Sequence, residues 1–206
     1  MSQVRRLRRN LVRSDFERMN LPRDFWRATV QDAPEDLRDI VNRYLVNTDA
    51  MMKRGAGLLL MGDPGVGKTG IAALISKEAR ARGYTCYFTT IWELRECVKN
   101  RIDFETGMSV LGRCRDVHVL TLDGLDLTDK KDWNFDVHTI EELIRFRAAQ
   151  RRVTIITTRL GPDVLDAEMP ALLTATQGCM VALRVTGPNM RDKRDLELNR
   201  VVLGQD

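Results

Sequence analysis

The stretch Gly62-Asp63-Pro64-Gly65-Val66-Gly67-Lys68-Thr69 constrains this chain more than any other eight residues. It follows an apolar run at 57–61 and precedes a segment, 68–82, in which Ile71, Leu74 and Ile75 recur at helical spacing. Glycines at 65 and 67 allow backbone angles that a β-carbon would block, so the loop can turn its N–H groups inward. A loop of that kind, ending on a helix N-terminus, cradles phosphate. Lys68 places a cation on the β- and γ-phosphates, and the Thr69 hydroxyl is a ligand for Mg²⁺. The pattern G-x-x-x-x-G-K-[ST] is matched in full and in its strand–loop–helix setting. ATP with Mg²⁺ is the expected ligand, touched by Gly62, Asp63, Pro64, Gly65, Val66, Gly67, Lys68, Thr69 and Gly70.

The rest of the chain alternates in the same way. Apolar runs at 84–88, 117–122, 153–157 and 180–185 read as further strands, with helical patterns at 91–101 and 138–150. Strands alternating with helices imply an α/β fold: a parallel five-stranded sheet flanked by helices. Ahead of the sheet a helix is expected over 34–54, with Asp32 and Glu35 as a capping box, Pro34 in the first turn and Gly55 as the stop. Residues 1–33 read as a basic N-terminal arm. Its stretch Leu21-Pro22-Arg23-Asp24-Phe25-Trp26 is a hydrophobic hook that docks on the core or on a partner. The nucleotide domain is expected over 34–191, with a tail at 192–206.

A metal bound at such a loop needs a second anchor, an aspartate at the end of a neighbouring strand. Val119-Leu120-Thr121-Leu122-Asp123 supplies it, so Lys68 and Asp123 are the expected catalytic pair and Thr69 and Asp123 the Mg²⁺ ligands. ATPases with a further catalytic acid carry it next to this aspartate. Here that position is Gly124, which cannot accept a proton. Asp126 could substitute only where the backbone bends.

Composition narrows the remaining classes. Of 206 residues, 43% are hydrophobic, enough for a core, and no run approaches the roughly 18 apolar residues of a membrane helix. The arginine-rich start has no apolar segment behind it and does not read as a secretory signal, so a cytoplasmic protein is expected. Cys86, Cys97, Cys114 and Cys179 match no zinc spacing, and His118 and His138 lie near no cysteine cluster; reduced, mostly buried thiols are expected. The net charge of +4 is unevenly placed. Arg5, Arg6, Arg8, Arg9 and Arg13 precede the first acid, Asp15, and Arg191, Lys193, Arg194 and Arg200 form a second cluster. Such clusters can neutralise nucleic-acid phosphates, or serve as a solvated arm or a protein contact.

The order of these features resembles the bacterial and phage helicase loaders, the DnaC/DnaI-like AAA+ ATPases, and the similar IstB-type transposition helpers. Leu21-Pro22-Arg23-Asp24-Phe25 resembles the family's opening, and residues 62–69 its Walker A loop. Residues 82–90 with Trp92-Glu93-Leu94 resemble the stretch after its first helix. Asp123-Gly124-Leu125-Asp126 falls where the family has "D-[DE]-l-G". Residues 154–160 resemble its sensor strand, and Gly187-Pro188-Asn189-Met190-Arg191 its closing "G-x-x-x-R". The resemblance implies a P-loop NTPase of AAA+ type with little or no separate lid domain, and adds Thr158 and Arg191 to the nucleotide contacts. Three departures accompany it. Gly124 replaces the acid, Arg159 stands where the sensor asparagine is expected, and Leu172-Leu173-Thr174-Ala175-Thr176 lacks the family's arginine finger. Such a finger contributes a factor of about 10³–10⁵ in rate, so weak hydrolysis is expected.

The function implied is ATP-dependent loading of a replicative helicase onto single-stranded DNA, with a homo-oligomer open. Trp92 and Trp133 could stack on bases, although core burial is expected for both. An IstB-like helper acting on duplex DNA with a transposase keeps the same fold. A small-molecule P-loop kinase would need a lid with an arginine pair, which the loop expected at 128–135 does not offer.

Overall fold

The computed structural model describes residues 8–100, 109–126, 130–190 and 202. Short helices come first: α1 (Arg13–Arg18), α2 (Arg38–Val46) and α3 (Thr48–Arg54). The strands β1 (Gly57–Met61), β2 (Cys86–Thr90), β3 (Val119–Leu125), β4 (Val153–Thr158) and β5 (Met180–Arg184) form one sheet in the order β2-β3-β4-β1-β5. Every neighbouring pair is parallel. Between the strands run α4 (Lys68–Ala81), α5 (Ile91–Asn100), α6 (Val110–Asp116), α7 (Lys130–Ala149), α8 (Pro162–Glu168) and α9 (Pro170–Thr176).

Side chains alternate across a strand, and here both faces are apolar because both are covered. Leu58 and Leu60 of β1 and Ile155 of β4 join Ile71, Ala72 and Ile75 of α4 in one core. Leu59 and Ile156 face the other way and pack with Leu120, Leu122, Ile140 and Ile144. The parallel arrangement gathers all five strand ends on one edge of the sheet, where open α/β sheets bind ligands. The order also sets β4 between β1 and β3, so the end of β4 lies between the glycine-rich loop and Asp123.

Several boundaries differ from those expected. The helix over 34–54 is broken. Residues Glu35–Leu37 form a 3-10 turn, and α2 and α3 meet at Asn47, whose own N–H donates to Arg43 O and whose O accepts from Ala50 and Met51. Asp32 does not cap it with Glu35. Its carboxylate instead accepts from the N–H and hydroxyl of Thr29, closing the preceding turn. Helix α7 begins at Lys130, not 138, so most of the loop expected at 128–135 is helical, while residues 127–129 lie outside the described residues. Helices α1, α6, α8 and α9 had no counterpart in the periodicity; each is six or seven residues long, too short for an apolar repeat to register.

Residues 8–33 lie against the domain. Met19 and Leu21 are buried in the α4 core, Phe16 stacks on Trp26 at 5.1 Å, and the Trp26 indole donates to Leu21 O. The Phe88 N–H donates to Met19 O at 2.8 Å, and Asn20 Nδ2 to Phe88 O at 3.0 Å, so this segment covers the outer edge of β2. An uncovered edge would invite pairing with another chain. The arginines of the arm meet acids: Arg8 pairs with Glu78, Arg9 and Arg80 with the buried Asp15, and Arg13 with Glu17. These hydrogen-bonded arginines hold the Asp15 carboxyl well below its usual range. Arg5 and Arg6, and the cluster from Arg191 onward, lie outside the described residues.

Arg147 is the largest fully buried side chain among the described residues. From α7 it donates to Cys114 O at 2.6 Å, Val117 O at 2.9 Å, Val153 O at 2.6 Å and Thr154 Oγ1 at 3.0 Å. It thus ties the end of α6 to the starts of β3 and β4, satisfying carbonyls that the sheet leaves open. In sequence it reads as one more solvated arginine on a helix. The four cysteines are free thiols, with Cys86 and Cys114 buried.

Candidate nucleotide site

The loop at 62–69 closes around its own lysine. Lys68 is only 8% exposed, and its ammonium donates to Gly62 O at 2.6 Å and Asp63 O at 2.7 Å. Burial pulls its pKa below the ordinary lysine value, opposed by the carboxylates of Asp126, Asp123 and Asp63. Val66 is buried in the α4 core and anchors the loop through its side chain. Gly62 N–H donates to Thr158 O, tying the loop's first residue to the end of β4. Gly65 (φ +84°) is pressed by the chain after β5: a β-carbon there would lie 1.7 Å from Asn189 Oδ1, and Met190 N–H donates to Gly65 O at 2.9 Å. Gly70 has open space around it. The 187–190 segment therefore roofs the loop, while Arg191, expected next to it, lies outside the described residues.

Across the sheet edge the Thr69 hydroxyl donates to Asp123 Oδ1 at 2.9 Å. Thr157 reaches the same oxygen at 2.7 Å, and its hydroxyl accepts from the Gly124 N–H at 2.9 Å. Thr157, not Thr158, is the β4 residue that orients Asp123. Thr158 lines the same cavity, but its hydroxyl donates to Leu125 O and accepts from Leu160 N–H. Alternation along a strand explains the difference, since adjacent side chains point to opposite faces. The sequence contained both threonines, and both line the cavity; which one meets Asp123 depends on strand register.

Gly124 has a structural reason. Leu122 pairs with Ile156 and Leu125 with Thr158, so two residues of β3, Asp123 and Gly124, face the single Thr157. This is a β-bulge with glycine in a left-handed conformation, φ +78°. The backbone does bend after Asp123, and Asp126 comes to the cavity wall. There its carboxylate accepts from the Arg159 N–H and Nε–H, both at 2.8 Å.

These residues line one wall of a cavity of about 490 Å³; the hook lines the other, with Asp24, Phe25, Arg27, Ala28 and Asp32. Lys77 of α4 fixes that wall, its ammonium donating to Phe25 O, Trp26 O and Ala28 O at 3.2, 3.0 and 2.6 Å. Nothing in the sequence marked Lys77 beyond a helix position one would read as solvated.

The donors fit a magnesium-bound triphosphate. A hydroxyl and a carboxylate 2.9 Å apart offer the oxygen-only ligands Mg²⁺ takes, beside a buried ammonium and a helix N-terminus. Trp92, in contrast to the expected burial, is 64% exposed at the start of α5. Trp133's side chain lies outside the described residues. Among the described residues no helix is long and apolar enough to cross a membrane.

Sheet order, loop and Asp123 together define a P-loop NTPase of AAA+ type. The chain belongs to the IstB-like ATP binding protein family, whose model matches residues 4–167. It is 29% identical over 112 residues to the replicative helicase loader DnaI of Bacillus subtilis (strain 168), covering 54% of this chain and 36% of DnaI. It is 36% identical over 76 residues to an insertion sequence IS21-like ATP-binding protein of Bacteroides fragilis (strain YCH46), covering 37% of this chain and 38% of that protein. The matches thus span little more than a third of the length of either relative. Among solved structures, the fold is similar to the DnaC helicase loader (TM-score 0.68, 22% identity, 80% of this chain and 100% of that chain). It is also similar to DnaI (0.67, 23%, 83% and 94%) and to AMPPCP-bound DnaA from Aquifex aeolicus (0.61, 18%, 85% and 56%).

Proposed function

We propose that the chain binds ATP with Mg²⁺ and uses the bound nucleotide to load or recruit a replicative helicase onto single-stranded DNA. The observation that carries this reading is the Lys68–Thr69–Asp123 cluster, assembled around a cavity of nucleotide size. Lys68 would hold the β- and γ-phosphates, and Thr69 and Asp123 the metal, which supplies charge neutralisation on the phosphates. Thr157 keeps Asp123 oriented, and the hook held by Lys77 forms the far wall.

Hydrolysis is expected to be slow. Gly124 offers no acid, and the described part of α9 presents no arginine finger. Asp126 stands in as the candidate water-polarising group. A nucleotide that binds one conformation better than another shifts the population between them without turnover, so a loader can work as a clamp. Trp92 is a candidate stacking platform for an unpaired base. Thr158 and Arg191 are proposed as further nucleotide contacts, and assembly of several copies would complete the loader.

The test is co-purification with a hexameric replicative helicase in the ATP, ADP and nucleotide-free states. Helicase contact in the ATP state supports the reading, and contact in no state refutes it. Membership of the IstB-like family, with the IS21-like relative, favours a second reading: a helper that binds duplex DNA and a transposase. Preference for duplex over single-stranded DNA in the ATP state would select it.

A further inference from the structure

A second cavity, of about 390 Å³, lies at the strand starts, the end of the sheet away from the nucleotide site. Its walls come from α3 (Asp49, Lys53) and from the residues just before β2 and β4 (Tyr84, Arg151, Arg152). The length of β4, at roughly 3.3 Å per residue, sets it about 15–20 Å from the Asp123 cluster. Its charge is lopsided. The carboxylate among its described lining residues, Asp49, is already engaged by Arg82 Nη1 at 3.0 Å and the Tyr84 hydroxyl at 2.9 Å. Arg152 is held through Nη1 by Arg115 O and Asp116. Lys53, Arg151 and the neighbouring Arg54 are exposed, and among the described residues their side chains make no hydrogen bond or ion pair. The arm's Arg8, Arg9 and Arg13, by contrast, are all on acids.

The backbone singles out Arg151. Helices α1, α3, α4 and α7 end in the same two-bond cap: Asn20, Gly55, Gly83 and Arg151 each donate to the carbonyl three residues back, and the next residue to the one five back. All four cap residues are left-handed, at φ +53°, +65°, +86° and +52°. Glycine and asparagine tolerate that conformation, and three of the caps use them. Arginine is strained there, yet the fourth cap keeps it, beside Lys53. Gly55 makes the close approach, since a β-carbon on it would lie 2.7 Å from Arg151 C. A cation that only complemented the negative end of α7 would not need this position; Lys53 and Arg54 serve α3 from within its last turn.

We infer that Lys53, Arg54, Arg151 and Arg152 form a surface for the phosphate backbone of duplex DNA, on the far side of the sheet from the nucleotide. The lining favours that partner. Met52 and Tyr84 are buried, so the cavity presents no apolar anchor for a protein and no exposed Phe, Tyr or Trp ring on which an unpaired base could stack. A duplex backbone asks only for cations. The surface does not rest on the ATP reading, and nucleotide and DNA do not compete for it.

Fluorescence anisotropy with a duplex of arbitrary sequence, and with one of its single strands, tests the surface over a series of salt concentrations, with Mg-ATP present and absent. Arg151→Gly should weaken duplex binding about three- to tenfold and lower the salt slope by about 1, while holding or raising Tm because the strain is relieved. Adding Lys53→Ala and Arg54→Ala should lower the slope by about 3 in all. Arg18→Ala, which removes one exposed charge from α1, should leave duplex affinity within about twofold of wild type. The inference is overturned by a wild type that binds no duplex, by unchanged duplex affinity in Arg151→Gly, or by an equal loss in Arg18→Ala, which marks net charge alone. A loss confined to the single strand also overturns it, as does a lower Tm for Arg151→Gly, which assigns the side chain to the helix end. Titration of Mg-ATP into the same proteins reads the nucleotide site separately, and Arg151→Gly should bind it as wild type does.

Discussion

Gly124 is the position where the sequence and the geometry bear on catalysis most sharply, and replacing it with alanine tests why no acid stands there. The residue sits at φ +78° in the bulge opposite Thr157. An added β-carbon would meet nothing within 4 Å, so the penalty is backbone strain alone. Holding an L-residue in the left-handed region costs about 1–2 kcal/mol. For a chain of this length each kcal/mol moves Tm by about 2–4 °C, so Gly124→Ala should lower Tm by roughly 2–8 °C. Gly124→Asn should cost less, because asparagine tolerates that conformation. Gly124→Glu should carry the alanine penalty without recovering fast hydrolysis, because a side chain on the bulge is not positioned as one on a regular strand. Calorimetry gives the stability of each variant, and a phosphate-release assay the turnover. An unchanged Tm for Gly124→Ala would refute the left-handed bulge. Fast ATP hydrolysis by Gly124→Glu at wild-type stability would show that only the acid was missing.

Other residues give independent tests. Arg147→Met strips the buried carbonyls of Cys114, Val117 and Val153 of their donor and should destabilise the fold by at least the about 1–3 kcal/mol of one unsatisfied buried group, read by urea unfolding; a loss below about 1 kcal/mol would contradict the staple. Asp15 has its folded pKa lowered from 3.8, so its contribution is fully present above that value and is lost as pH falls through the lower folded value. Asp15→Asn should therefore lower Tm at pH 7, with the gap to wild type closing as the pH drops below 3.8; a gap independent of pH would rule out the ion pair as its source. Trp92→Ala should weaken single-stranded DNA binding by about 1–3 kcal/mol in a fluorescence anisotropy titration while leaving Tm unchanged, since the ring is exposed. Equal DNA affinity would remove Trp92 from the interface.

The strand–loop–helix unit was legible because its chemistry is local: residues 62–69 must be near one another in any fold that uses them. Strands β1 to β4 were legible because both sheet faces are buried there, which writes continuous apolar runs such as Leu58-Leu59-Leu60. Asp123 was legible as the polar end of one such run. What the sequence did not show depended on distant partners. Whether Thr157 or Thr158 faced Asp123 was decided by a one-residue register that the bulge itself shifts. Lys77 is surrounded by carbonyls 49–52 residues away, and Arg147 by carbonyls 30–33 residues away together with Val153 O, six residues on; no pattern in the sequence announces a carbonyl. The broken helix over 34–54 was read as continuous because the apolar repeat carries through Asn47, where hydrogen bonding, not periodicity, divides it. Trp92 was misplaced by its apolar character, since exposure of an aromatic at a helix start is set by what packs beside it.

On the proposed reading, the loop holds ATP more securely than it splits it. Calorimetric titration of Mg-ATP into the wild type and Lys68→Ala, followed by phosphate release from the same samples, tests that directly. The expected result is saturable binding by the wild type, its loss in Lys68→Ala, and turnover far below the median enzyme rate of about 10 s⁻¹. No binding by the wild type, or equal binding by Lys68→Ala, would contradict it.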